Sequence, residues 1–127
     1  MTSLILDASA TVRNKIHDLL LELDSEHMDI ETFEDGSEAL EFIQENDVDL
    51  VFSSIETIGL DGISFVDMVL RDNPKIVSKL FIVTSQKNTE NLEEMKGVGA
   101  KRFIRKPINE EHFRHFIVPE IHRIINF

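Results

Sequence analysis

Asp49-Leu50-Val51-Phe52-Ser53-Ser54, running on to Leu60-Asp61-Gly62, is the stretch whose reading decides the fold. Leu50-Val51-Phe52 is a continuous apolar run of strand length, and Asp61-Gly62 opens a helix after a short loop. A strand that is apolar on both faces needs cover on both faces, which points to a parallel sheet held between helices. In an open parallel sheet, chemistry collects beyond the carboxyl ends of the strands. The residue at that end here is Ser54, a weak nucleophile with no base evident beside it in the sequence.

Outward from this strand the pattern repeats. Ser3-Leu4-Ile5-Leu6 reads as a first strand ending at Asp7. Ser9 or Thr11 can cap a first helix to about Glu22, with Val12, Ile16, Leu19, Leu20 and Leu23 on one face. Met28 to Phe33 alternates, as a strand with one less covered face does. Gly36-Ser37 opens a second helix through Ala39, Leu40, Phe42 and Ile43, ending near Asn46. The third helix, from Asp61-Gly62, turns Phe65, Val66, Val69 and Leu70 inward and stops at Asn73-Pro74. Leu80-Phe81-Ile82-Val83 is a fourth strand ending at Thr84-Ser85. Asn88 or Thr89 caps a fourth helix anchored by Leu92 and Met95 and closed by Gly97 and Gly99. Arg102-Phe103-Ile104-Arg105 is a fifth strand, and Lys106-Pro107 turns into a last helix capped at Asn109. Helix-length crossovers make these right-handed βαβ units. The expected fold is a three-layer doubly wound (βα)5 α/β domain of the flavodoxin-like kind, one domain over 1–127.

The bulk properties narrow the function. A net charge of −11 argues against unaided nucleic-acid binding, since phosphate repels an acidic surface. There is no cysteine, so disulfides and thiolate metal sites are excluded. No apolar run approaches the roughly 20 residues that span a bilayer. The amino terminus lacks the basic region of a signal peptide. A cytoplasmic protein with no membrane contact is expected. Against the acidic background, Lys96, Lys101, Arg102, Arg105 and Lys106 cluster. They read first as a solvated strand-edge face and second as a surface for an acidic protein partner.

Five pieces, in order, then carry a resemblance. They are Leu4-Ile5-Leu6-Asp7-Ala8-Ser9 with Val12-Arg13; Gly36-Ser37-Glu38-Ala39-Leu40; Asp49-Leu50-Val51 to Asp61-Gly62; Val83-Thr84-Ser85; and Gly99-Ala100 to Phe103-Ile104-Arg105-Lys106-Pro107. Together they resemble the receiver domains of bacterial response regulators, including the single-domain chemotaxis type. The resemblance implies strand order 2-1-3-4-5. It implies phosphoryl transfer from a histidine kinase to an aspartate, with an acidic pair holding magnesium, a hydroxyl and a lysine. Asp7 matches the first acid, Thr84 the hydroxyl, Lys106 the lysine and Phe103 the aromatic switch position. Ala8 stands where the second acid belongs, and Ser54 where the acceptor belongs.

These departures set the functional expectation. Magnesium takes hard oxygen ligands, usually with one or two carboxylates, so Asp7 and Ser54 make a poor site and no metal is expected. Serine can form only a phosphate ester, not an acyl phosphate. The expected function is therefore a pseudo-receiver: a signalling module that binds a kinase, output domain or other regulator without ordinary aspartyl phosphorylation. Phe103, Lys101 and Arg105 mark its interaction face, on the fourth helix, fifth strand and fifth helix, where a homodimer could also form. One alternative is a working receiver that binds magnesium or phosphate through Asp7 and Glu56. Another is a small-anion or nucleotide pocket beside Ser54 and Lys106, disfavoured because no glycine-rich phosphate loop follows a first strand. Glu56 is otherwise a solvent-facing loop acid or a partner for Lys106, and Lys106 is expected to pair with Asp7 or Glu56. His112 and His115 share a helix face but read as surface residues, and no zinc spacing occurs. Near the carboxyl terminus, Phe113, Phe116, Ile117, Val118, Ile121, Ile124, Ile125 and Phe127 exceed a single stripe, and Pro119 should kink or break the helix. Residues 119–127 are thus a candidate extension, which packs back, pairs with a second copy or leads onward.

Overall fold

A computed structural model describes residues 1–85 and 89–125. Its elements are β1 Thr2–Leu6, α1 Ala10–Leu23, β2 Asp29–Phe33, α2 Gly36–Glu45, β3 Leu50–Ser54, α3 Gly62–Asp72, β4 Leu80–Ser85, α4 Thr89–Gly97, β5 Arg102–Lys106 and α5 Glu110–Ile125. The strands form one parallel sheet in the order β2-β1-β3-β4-β5, the expected flavodoxin-like arrangement. A 3-10 helix, Pro74–Lys79, precedes β4 and buries Ile76, which the apolar periodicity does not announce.

Alternation along the strands divides the core in two. Leu4, Leu6, Val51, Leu80 and Ile82 face α2, α3 and α4, meeting Ala39, Phe65, Val66, Val69 and Met95. Ile5, Leu50, Phe52, Phe81, Val83 and Ile104 face α1 and α5, meeting Ile16, Leu20, Phe113, Ile117 and Ile121. The central strand β3 is buried along its whole length, whereas β2 at the edge is mostly exposed. This is why β3 reads as a solid apolar run and β2 as an alternation. Leu92, expected to anchor α4, is only half-buried, and Met95 carries that contact.

Side chains set the helix ends. Ser9, not Thr11, caps α1, its Oγ accepting from Val12 N at 3.3 Å. Asp35 caps α2 and Asn109 accepts from His112 N at the start of α5. Gly99, at φ +113°, ends α4: its N–H reaches Lys96 O and the Ala100 N–H reaches Met95 O, a Schellman closure. Asn88 and the Thr89 side chain, the expected caps of α4, lie outside the described residues, as does Phe127.

Asp61 caps α3 through Oδ1, which accepts from Ser64 N at 2.8 Å, while Ser64 Oγ donates to Oδ2. These bonds favour the carboxylate and hold Asp61 below its ordinary pKa. Asp61→Ala is expected to cost about 1 kcal/mol near neutral pH. The sign with pH follows from the depressed folded value. The cap contributes fully above the unfolded aspartate pKa of about 3.9 and is lost as pH falls through the lower folded value. Urea titrations of wild type and Asp61→Asn between neutrality and strong acid check this: the wild type should lose more stability, and parallel curves would remove the charge from the account.

Pro119 does not break the last helix. α5 runs through it to Ile125. The carbonyl that loses a donor belongs to His115, and both residues are exposed, so water can serve it. On the inner side, Phe113, Ile117 and Ile121 form a buried stripe across the proline. Glu120, 2% exposed, ties the next turn down: Arg102 donates to its Oε1 at 2.7 Å and Arg123 at 2.6 Å. The segment after Pro119 therefore packs back on the domain, with Ile124 half-buried against the same core.

Candidate functional site

The register brings four strand ends to one edge. Leu6 pairs with Ser53, Ser54 with Val83, and Ser85 with Lys106. Asp7, Ser54, Thr84 and Lys106 therefore meet where the sequence placed them, beyond the carboxyl ends of β1, β3, β4 and β5. The loop after β3 is held from both sides. Ala8 N donates to Glu56 O at 3.0 Å, and Ile58 N to Glu34 O at 2.8 Å. Gly62 closes it, since a Cβ there would collide with the Ser54 carbonyl oxygen.

Asp7, Ser54, Thr84 and Lys106 all make polar contacts within the protein at this edge. Asp7 is 2% exposed. Its Oδ1 accepts from Ser9 N at 2.8 Å, and its Oδ2 lies 2.9 Å from Lys106 Nζ. The ammonium is close but not aligned as a donor, so Oδ2 has an ion-pair partner and no hydrogen bond. Lys106 also reaches Ser54 Oγ at a long 3.4 Å, and Glu56 N donates to the same oxygen at 3.2 Å. Thr84 Oγ1 donates to Ser85 O at 3.3 Å, so its hydroxyl is turned to the backbone, not to Ser54. The peptide bond between Lys106 and Pro107 is cis. A small cavity of about 100 Å³ remains, lined by Ser54, Glu56, Thr84 and Lys106 among others.

Of the two roles open to Glu56, the structure gives it the solvent-facing one. The Glu56 side chain is exposed and pairs with neither Asp7 nor Lys106; its contribution is its backbone, which holds Ala8 and Ser54 Oγ. Among the described residues, no three histidine, cysteine, aspartate or glutamate side chains group as metal ligands. Conversely, Arg13 belongs to this edge. Its guanidinium donates to the Asp7 carbonyl at 2.7 Å. Val12-Arg13 stood in the first piece of the resemblance, but only the turn into α1 shows what the Arg13 side chain holds.

Beside this edge lies the expected interaction face. Phe103 is half-buried against the core, with Lys96 Nζ 5.8 Å from its ring centre, a weak cation–π contact. Lys101 and Arg105 are exposed. Phe116 on α5 is a large exposed apolar residue, packed edge-on by His115. His112 and His115 are both exposed. No described helix is long and apolar enough to cross a membrane.

With this geometry in view, the likenesses to known proteins are specific. The family model described as the response regulator receiver domain matches residues 4–118. A cyclic di-GMP phosphodiesterase of Thermotoga maritima is 36% identical over 81 residues, covering 64% of this chain and 21% of the relative. A protein-glutamate methylesterase/protein-glutamine glutaminase of Archaeoglobus fulgidus is 31% identical over 107 residues, covering 84% of this chain and 30% of the relative. The chain thus spans less than a third of these curated relatives. Among solved structures, the Vibrio cholerae chemotaxis protein CheY4 matches with a TM-score of 0.75 at 25% identity over 98% of both chains. The signal receiver domain of an HD domain-containing protein from Pseudomonas fluorescens matches with a TM-score of 0.81 at 18% identity, over 96% of this chain and 94% of that one; it speaks for the fold alone.

Proposed function

The chain belongs to the response regulator receiver domain family, and from that premise we propose that it works as a protein-binding signalling module without ordinary aspartyl phosphorylation. The observation that carries this reading is Ser54 at the end of β3, in the acceptor position, with Lys106 drawn 2.9 Å from Asp7. An acyl phosphate requires a carboxylate, and a serine hydroxyl cannot supply one. The magnesium that such transfer uses also finds a poor donor set. Ala8 offers no side-chain oxygen, Asp7 is occupied by Ser9 N and Lys106, and Ser54 Oγ already accepts from Glu56 N. Magnesium demands near-ideal octahedral oxygen ligation, so these residues do not fit it.

The surface for a partner is the face of α4, β5 and α5, where Lys101 and Arg105 are exposed and Phe103 is half-buried. The exposed pair Lys101 and Arg105, on an otherwise acidic chain, favours an acidic partner surface and a salt-dependent on-rate. Self-association through α4 and α5 would use the same face. Control by a shift between two states would require a partner that binds them unequally.

The test is a titration with magnesium and beryllofluoride, a phosphoryl mimic, read by amide chemical shifts. No saturable change at Asp7, Ser54, Thr84 or Lys106 is expected. The double variant Ala8→Asp/Ser54→Asp restores both missing acids and should respond. Saturable shifts in the wild type that reach Phe103 would sink the proposal and establish a working receiver.

A further inference from the structure

A sizeable concavity lies at the opposite end of the sheet from Ser54, and the reading above does not use it. It is a groove of about 700 Å³ between the carboxyl ends of α2 and α3, the loop into β3 and the 3-10 helix. Its apolar lining includes Ile43 and Val48, both half-buried, and the buried Ile76. Its rim carries Glu45, Asp47 and Asp72, all exposed. None of these three carboxylates makes a hydrogen bond or ion pair among the described residues. Asp49, also on the lining, is different: it accepts from Thr2 N at 2.8 Å and so has a structural task.

The placement of these acids is costly. A helix carboxyl end carries partial negative charge and favours cations. α2 has no basic residue in its last turn and ends on Glu45; α3 ends on Asp72. The one base in the last turn of α3, Arg71, is taken by Asp67 at 2.9 Å. Two negative helix ends and three free carboxylates thus surround one apolar floor. A single metal ion does not account for the size or the floor, since the volume falls in the range of organic and side-chain binding clefts, about 300–1,000 Å³.

We infer that this groove docks a lysine- and arginine-bearing segment of a partner protein. An aliphatic side chain of that segment rests on Ile43, Val48 and Ile76, and its cations meet Glu45, Asp47 and Asp72. Charge complementarity selects the partner: the rim attracts cations and the floor rewards an apolar anchor between them. The module then has two unlike surfaces, one with Lys101 and Arg105 exposed at β5 and an acidic one at the far end of the sheet.

The probe is a labelled helical peptide of about 12 residues with leucines on one face and lysines flanking them. Anisotropy gives its affinity and amide shifts give its position. Shifts confined to residues 43–49 and 69–76 are expected. Asp47→Asn/Asp72→Asn should weaken binding about tenfold, the loss of roughly two partly screened charge contacts. Glu31→Gln/Glu111→Gln, an equal charge change at exposed sites away from the groove, should leave affinity within about twofold. Any of three results overturns the inference: no binding, equal loss in both double variants, or a lysine-only peptide that binds as tightly. The last two would mean diffuse attraction to an acidic protein. The beryllofluoride result does not bear on this outcome, so the two proposals fail separately.

Discussion

Lys106→Met is expected to lower the unfolding free energy by about 3 kcal/mol. The reason lies in Asp7. Its carboxylate is 2% exposed, and one of its oxygens has the Lys106 ammonium as sole partner. Removing the cation strands a buried charge, the expensive half of breaking such a pair. The figure is set at the low end of the known range because the lysine side chain keeps 21% of its exposure, so water screens part of the interaction. Asp7→Asn/Lys106→Met removes both charges and should recover most of the loss, since the new amide oxygen could still accept the Ser9 N–H. Urea denaturation of the wild type, both single variants and the double variant completes the cycle. A Lys106→Met change within about 0.5 kcal/mol of wild type would show the pair to be incidental. The lysine would then be free for an anion, which favours a working pocket over the proposed one.

The largest loss is expected at Phe52. Its ring is fully buried on β3, stacked 5.5 Å from Phe81 and 5.7 Å from Phe113. It joins the sheet to α5, so the cavity left by Phe52→Ala opens between two layers that cannot easily close on each other. A cost of about 3–5 kcal/mol is expected, against under about 1.5 kcal/mol for Phe52→Leu. The chain has neither tryptophan nor tyrosine, so far-ultraviolet circular dichroism is the natural probe of unfolding. Equal, small losses for both variants would mean that the layer repacks. The ring stack would then not be what fixes α5 against the sheet.

The fold was legible because its signals are local. Leu50-Val51-Phe52 and Leu80-Phe81-Ile82-Val83 have no polar face, so they had to be covered on both sides, and both are fully buried. The α1 stripe and the caps Asp61 and Asn109 are short-range patterns that the structure keeps. The errors came where a local rule met a distant contact. Proline predicts a broken helix, yet α5 continues because the buried stripe and the Arg102–Glu120–Arg123 contacts hold both sides of Pro119. The pairing of Arg102, on β5, with Glu120 could not be read from spacing. Arg102 also stacks on Phe81, 4.8 Å from its ring centre, and binds Ser78 O at 2.6 Å. The structure shows it clamping β4, β5, α5 and the 3-10 helix, where the sequence showed one charge of a basic cluster.

The candidate site divides the same way. By itself the sequence determined which residues end the strands, since apolar runs stop where the chain leaves the sheet. It therefore named Asp7, Ser54, Thr84 and Lys106, and with Ala8 it showed which chemistry those side chains lack. Only the tertiary structure decided how they are satisfied. Lys106 turns to Asp7 and not to Glu56, because the β3–α3 loop uses the Glu56 backbone and leaves its carboxylate in solvent. The groove at the other end of the sheet was equally hidden. Its acids lie on α2, α3 and the loop into β3, and only the packing of parallel crossovers brings those ends together. Residue type and local periodicity are written along the chain, whereas ion-pair choice and surface concavity depend on distances that exist only after the layers pack.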